Sequence, residues 1–155
     1  MMRFSVSLKA GQAAPAFSLP DASGKLHSLA DFKGRWLVLF FYPADFTGGC
    51  TVESCSFRDL YQDFKDAGAE VVGVSGDSQA SHAAFQAEHR LPYTLLSDTP
   101  RQARDAYGVP HILGRLSGRS TFVIDPQGII RYVFDSRADA KGHVSKALEF
   151  LVSQK

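Results

Sequence analysis

The sequence predicts an α/β fold built on one mixed sheet, and three observations point to it. Trp36-Leu37-Val38-Leu39-Phe40-Phe41-Tyr42 carries no charged or small polar side chain, as expected of a central strand covered on both faces. Strand-like runs then alternate with helical periodicity in the order β-α-β-α-β, which requires parallel neighbours joined by crossovers. Two later apolar runs flank Asp125-Pro126-Gln127-Gly128 and read as a hairpin that adds an antiparallel pair at the sheet edge.

Residues 1 to 14 are weakly patterned and are expected to run along an edge. Ala16 to Pro20 alternates like a short strand, Asp21-Ala22-Ser23-Gly24 reads as a turn, and Lys25 to Leu29 as the returning strand. Ser28 is placed to cap a brief turn that Gly34 ends. After the strand at 36 to 42, Phe57, Leu60, Tyr61 and Phe64 recur at i, i+3, i+4 and i+7, the stripe of an amphipathic helix that stops at Gly68. Glu70 to Ser75 is a second buried strand, Ser78 to Arg90 a helix, Thr94 to Asp98 a third strand, and Arg101 to Tyr107 a short helix. Gly108 to Gly118 reads as a loop. Arg119 to Ile124 and Ile129 to Phe134 form the hairpin, and Asp139 to Val152 a closing helix.

With 155 residues and 45% apolar content, the chain is expected to form one domain, 1–155, with a full core. A net charge of +1 without a basic run gives no reason to expect nucleic acid or an anionic membrane as partner. The longest apolar run is too short to span a bilayer. The N-terminal residues lack the pattern of a secretory signal, and two cysteines are too few for a secreted disulfide scaffold, so a reducing cytoplasm is expected.

Both cysteines lie in Tyr42-Pro43-Ala44-Asp45-Phe46-Thr47-Gly48-Gly49-Cys50-Thr51-Val52-Glu53-Ser54-Cys55, where the strand gives way to the helix. Extending the apolar stripe backward puts Cys50 about 20° from its centre and Cys55 about 160° away. Cys50 is therefore expected inside and Cys55 on the outer face. Unpaired N–H groups and the positive end of the dipole in a first helical turn favour a thiolate. Thr47 is a candidate N-cap, its oxygen expected to reach the Cys50 N–H. Gly48 and Gly49 permit close approach of the backbone, and Pro43 fixes φ where the strand ends. Five helical residues separate two Cα atoms by about 8.6 Å, more than the ~6.8 Å a disulfide permits. A Cys50–Cys55 bond thus requires the helix start to unwind, which suits a catalytic intermediate better than a staple. Two inert core cysteines are the alternative, and it suits Cys50 alone.

Pro43-x-x-x-Thr47-x-x-Cys50 resembles the active-site motif of the peroxiredoxins, and a second cysteine at +5 resembles the peroxiredoxin Q (bacterioferritin comigratory protein) subgroup, of the atypical two-cysteine kind. The similarity runs from Gly11-Gln12-Ala13-Ala14-Pro15-Ala16-Phe17 through Arg119-Ser120-Thr121-Phe122-Val123-Ile124-Asp125 to the last helix. It implies a thioredoxin-like fold, a central mixed β-sheet flanked by helices, with an N-terminal β-hairpin extension. It also implies a thiol-dependent peroxidase reducing hydrogen peroxide and alkyl hydroperoxides. Cys50 would be the peroxidatic cysteine and Cys55 its resolving partner in the same chain, with Thr47, Pro43 and Arg119 completing the pocket. Thioredoxin or a similar dithiol would recycle the enzyme, with no metal, haem or flavin. A monomer is permitted, as is a dimer. The subgroup usually has Pro at position 48, where this chain has Gly, which loosens the loop before Cys50.

Of the supporting residues, Arg119 opens a strand and could equally be a strand-end cation in solvent; the resemblance favours the site. Glu53 falls about 40° from the stripe centre and would need a buried partner, for which Arg119 is the candidate; the alternative is an acid favoured by the helix dipole. His82 and His89 lack a third ligand at a metal spacing and read as exposed helix histidines. Asp77 and Asp98, both after strands, read as caps or turn residues. Phe46 and the Tyr107-to-Leu116 loop could line a peroxide entrance, with plain packing as the alternative. Two other functions remain open on the residues alone. A disulfide oxidoreductase of thioredoxin type would need the Cys-x-x-Cys pair that is missing here, and a redox-sensing module would oxidise once without turnover.

Overall fold

In a computed structural model, the structure describes residues 8–112, 116–136 and 139–154. The elements are β1 (Ser18–Pro20), β2 (Leu26–Ser28), a 3-10 turn (Leu29–Phe32), β3 (Trp36–Phe41), α1 (Gly48–Asp59), α2 (Tyr61–Asp66), β4 (Ala69–Ser75) and α3 (Gln79–His89). They continue with β5 (Thr94–Ser97), α4 (Gln102–Ala106), β6 (His111–Ile112), β7 (Leu116–Ser117), β8 (Ser120–Ile124), β9 (Ile130–Asp135) and α5 (Ala140–Ser153).

The main sheet has strand order β5-β4-β3-β8-β9, with β3 at its centre. β3 is parallel to β4 and β4 to β5, whereas β8 runs antiparallel to both β3 and β9. This is the thioredoxin-like arrangement expected, with β1–β2 as the N-terminal hairpin. The unbroken apolar run of β3 has its reason in the two cores on either side. Val38, Phe40 and Tyr42 pack with Cys50, Phe57, Phe64, Phe85 and residues of α5, while Leu37, Leu39 and Phe41 pack with Phe17, Leu19, Tyr107 and Phe122.

Local chemistry sets the ends. Ser78 Oγ accepts from Ser81 N–H to cap α3, Asp139 accepts from Gly142 N–H to cap α5, and both carboxylate oxygens of Asp98 accept from the start of α4. Asp31 accepts from Ser28 N–H at the 3-10 turn. Gly68 and Gly128 take φ values of 83° and 85°, which close α2 and the β8–β9 turn. The segment before β1 runs along the sheet edge as expected, bonding through Gly11, Gln12 and Ala14 to Gly128 and Ile130; residues 1–7 lie outside the described residues.

Two expectations need correction. The stripe from Phe57 to Phe64 belongs to two helices that meet at Leu60, whose ψ of 11° departs from the helical value, although backbone bonds from Leu60 N to Ser56 O and from Phe64 N to Leu60 O carry the chain through. The stretch from Gly108 to Gly118 also holds a short antiparallel pair, His111–Ile112 with Leu116–Ser117. Two-residue strands are below what periodicity can register.

Candidate active site

Cys50 lies at the carboxyl end of β3, where open α/β sheets place their sites. Tyr42 N–H donates to Val74 O, and Pro43, half-buried and without an N–H, follows where the ladder ends. The chain then turns through Phe46, whose φ of 64° is unusual for an aromatic residue. Phe46 is about half exposed and sets its ring edge-on to Phe85 at 5.0 Å. It thus flanks the motif as part packing and part open surface. The described part of the Tyr107-to-Leu116 stretch puts Tyr107 in the core instead, against Phe41 and Phe122; 113–115 lie outside the described residues.

Thr47 is the N-cap residue of α1, but not as expected. Its side chain takes no helix N–H; Oγ1 instead donates to Ala44 O at 2.9 Å. The left-handed turn at Phe46 brings that carbonyl under the hydroxyl. The hydroxyl proton is thereby committed, and the oxygen of this exposed residue is left to act as an acceptor.

Cys50, in the first turn of α1, is fully buried, and Cys55 is partly exposed. Both are free thiols. The inward and outward directions follow the sequence reading, and α1 is helical from Gly48 through Asp59, so the two sulfurs are held apart by regular backbone.

Arg119 reaches the same place from across the sheet. Ser120 pairs with Phe41 at the end of β3, so the residue before it sits beside the β3–α1 turn. Arg119 Nη1 donates to Glu53 Oε1 at 2.6 Å, and a methyl group at Gly49 would lie 2.9 Å from Nη2. A side chain at Gly49 would therefore press on the guanidinium that Glu53 holds. Gly48 has open space where a side chain would go. Burial works against the charge of Arg119, but the charges and hydrogen bonds of Glu53 and Cys50 outweigh it and hold the group above its ordinary value.

Glu53 is fully buried one turn after Cys50, on the same side of α1. Its Oε2 has no hydrogen-bond partner among the described residues. Burial pushes its carboxyl up, and although Arg119 pulls it back by charge and hydrogen bond, the balance stands at about 8. One guanidinium thus faces two acidic groups. While Glu53 holds a proton, the cation is left to the Cys50 sulfur; when Glu53 ionises, it competes for it.

Sequence reasoning missed what surrounds this core. His82 is not an exposed helix histidine: it is fully buried, with Nδ1 at 2.7 Å from Asp45 Oδ2 and Nε2 at 3.0 Å from Leu96 O. The spacing of His82, Phe85 and His89 along one face of α3 could have shown it. His89 sits apart, ring against Phe85 and Phe46. Asp77 is not the cap of α3, a place Ser78 takes; it accepts from Asp45 N–H at 2.8 Å. Asp45, Asp77 and His82 bring ligand atoms within 4.8 Å of one another, yet each makes hydrogen bonds inside the protein. His143 of α5 is also buried and held below its ordinary value mainly by that burial. Its Nδ1 takes Thr121 Oγ1 at 2.8 Å and lies 3.8 Å from Glu53 Oε2.

Residues 10–133 match the AhpC/TSA family. The chain belongs to that family. Its similarity is to the peroxiredoxin Q members: chloroplastic peroxiredoxin Q of Suaeda salsa is 49% identical over 144 residues, covering 92% of this chain and 67% of that protein. The Arabidopsis thaliana chloroplastic peroxiredoxin Q is 49% identical over 142 residues, 91% of this chain and 66% of its own length. Among solved structures, the peroxidoxin BcpB of Mycobacterium tuberculosis superposes with a TM-score of 0.89 at 38% identity, over 96% of this chain and 99% of that one. Peroxiredoxin Q of Xanthomonas campestris gives 0.84 at 33% identity, over 93% and 97%. With this membership comes the activity of a thiol-dependent peroxidase.

Proposed function

We propose that Cys50 is the peroxidatic nucleophile of this peroxidase and Cys55 its resolving partner. The observation that carries the reading is a buried sulfur in the first turn of α1 facing a guanidinium that Glu53 holds and Gly49 leaves room for. The Cys50 thiolate attacks one peroxide oxygen and the O–O bond breaks. The sulfur becomes a sulfenic acid, and the departing alkoxide or hydroxide takes a proton to leave as alcohol or water. Arg119 and the first-turn N–H groups of α1 stabilise the charge that moves to the leaving oxygen. Thr47, its proton held by Ala44 O, is suited to accept the hydrogen bond of the incoming hydroperoxide. Pro43 shapes the pocket floor.

Cys55 then attacks the Cys50 sulfenic sulfur, releasing water and leaving an intrachain Cys50–Cys55 disulfide, which an external dithiol of thioredoxin type reduces by exchange. The step needs no metal or organic cofactor. Hydrogen peroxide and alkyl hydroperoxides are the proposed substrates. In support, a bacterioferritin comigratory protein of Xanthomonas campestris, 32% identical and with a TM-score of 0.84, is described by its alkyl peroxide reduction activity. We place the reaction in one domain, 1–155, working as a monomer, since both cysteines belong to one helix. A reducing cytoplasm is the proposed location, on the cysteine usage; the plant relatives are chloroplastic. Among the described residues no helix is long and apolar enough to cross a membrane.

Steady-state peroxide consumption with thioredoxin tests the assignment. Cys50→Ser is expected to abolish turnover; turnover retained by that variant, or a single stoichiometric oxidation in the unaltered protein, would refute it.

A further inference from the structure

The Thr47 hydroxyl owes its direction to a peptide plane, and that plane is held from behind. Ala44 C=O and Asp45 N–H belong to one rigid peptide unit and point to opposite sides. On one side Ala44 O accepts from Thr47 Oγ1 at 2.9 Å; on the other, Asp45 N–H donates to Asp77 Oδ2 at 2.8 Å. Asp77 is itself fixed, because Ser75 Oγ donates to the same oxygen at 2.6 Å.

Rotation of the plane is further opposed by the Asp45 side chain, which is buried and bonded through both oxygens. It accepts from Tyr42 Oη at 2.6 Å and Ser81 Oγ at 2.8 Å and meets His82 Nδ1 at 2.7 Å. His82 carries the tie on to Leu96 O. The carboxyl ends of β3, β4 and β5 are thus linked around one peptide.

We propose that Asp77 is a positioning residue for peroxide reduction, acting through the Ala44–Asp45 peptide to fix and polarise the carbonyl that aims the Thr47 hydroxyl. A carboxylate accepting from the N–H of an amide draws electron density toward the carbonyl oxygen, and bonds in such a chain reinforce one another. The effect is to keep the Thr47 proton on Ala44 O and its lone pairs toward the substrate. The inference rests on the reading that Thr47 contacts the peroxide.

The test is a double-mutant cycle in a Cys55→Ser background, reading the rate of Cys50 oxidation by hydrogen peroxide and, separately, its alkylation by iodoacetamide. Asp77→Ala is expected to slow oxidation about fivefold when Thr47 is present and not at all on top of Thr47→Val. Asp77→Asn, which keeps an acceptor for the Asp45 N–H, recovers most of the loss. Alkylation, which has no use for the hydroxyl, is unchanged throughout. Equal losses with and without the Thr47 hydroxyl, or a parallel loss in alkylation, would overturn the proposal and assign Asp77 a purely structural part. No loss from Thr47→Val would overturn it by removing the reading on which it rests. Should Asp77→Ala fail to fold, Ser75→Ala, which frees the Asp77 carboxylate, is read in the same cycle with a smaller effect of the same pattern.

Discussion

The two sides of Cys50 are built differently. Before it, residues 42–47 are tied down by a buried polar network that reaches β4, α3 and β5. After it, residues 50–55 are held mainly by the helix's own backbone bonds, with Glu53 on Arg119 and Ser54 O on Tyr93 Oη as outside anchors. The difference matches the two demands on the sulfur. Attack on peroxide needs a fixed pocket, and the loop supplies it. Reaching Cys55 needs the helix start to open, and that stretch is secured by bonds that one cooperative unwinding can release.

The comparison breaks most severely at Arg119, which belongs to both sides: it serves the pocket and anchors Glu53. Arg119→Ala is expected to slow Cys50 oxidation by about 10²-fold or more, as removal of a preorganised donor does, measured by competition kinetics with a second peroxidase. It also leaves Glu53 buried without its partner. A loss under about threefold would mean that the guanidinium only supports the fold.

Glu53→Gln sharpens the contrast through pH. The folded chain keeps a proton on Glu53 up to about 8, whereas the unfolded chain releases it near the ordinary 4.5. Between those values the unfolded state binds fewer protons, so this group's contribution to stability is present below 4.5 and is lost as pH rises through 8. Gln cannot ionise, so urea denaturation across that range should show a decline shallower by up to about 1.4 kcal/mol per pH unit. An unchanged slope would mean that Glu53 is already ionised throughout.

Gly48→Pro probes the other side with the smallest effect. Position 48 is the first residue of α1, there is open space for a side chain, and Thr47 has the extended backbone, φ −91° and ψ 156°, that a following proline requires. The substitution should stabilise the reduced protein by about 0.5 kcal/mol in denaturant melts and slow disulfide formation, chiefly by stiffening the start of the helix. Destabilisation would show that the observed turn does not tolerate the ring.

How legible this was from the sequence depended on distance along the chain. β3 and the helix after it are written in runs and periods, and so were the inward Cys50, the outward Cys55 and the inward Glu53. The Arg119–Glu53 pair could be named because the helical stripe turned Glu53 inward, where a carboxylate needs a partner, and the family resemblance put Arg119 in the pocket. The network behind the loop could not: Asp45 finds Asp77 and His82 across 32 and 37 residues, and isolated polar residues leave no period to read. His82 was misjudged because a polar residue on the apolar stripe of a helix is usually a boundary residue, whereas here a carboxylate and a carbonyl satisfy both of its nitrogens. Thr47 was correctly set at the helix start, but its hydroxyl direction depends on the left-handed Phe46, which no residue preference predicts.

The most direct test is rapid-quench mass spectrometry of the protein mixed with one equivalent of peroxide. The account predicts a sulfenic acid on Cys50 first, then an intrachain Cys50–Cys55 disulfide formed at the same rate at every protein concentration, together with lost helical circular dichroism. Oxidation appearing first on Cys55, or a crosslink found only between chains, would contradict it.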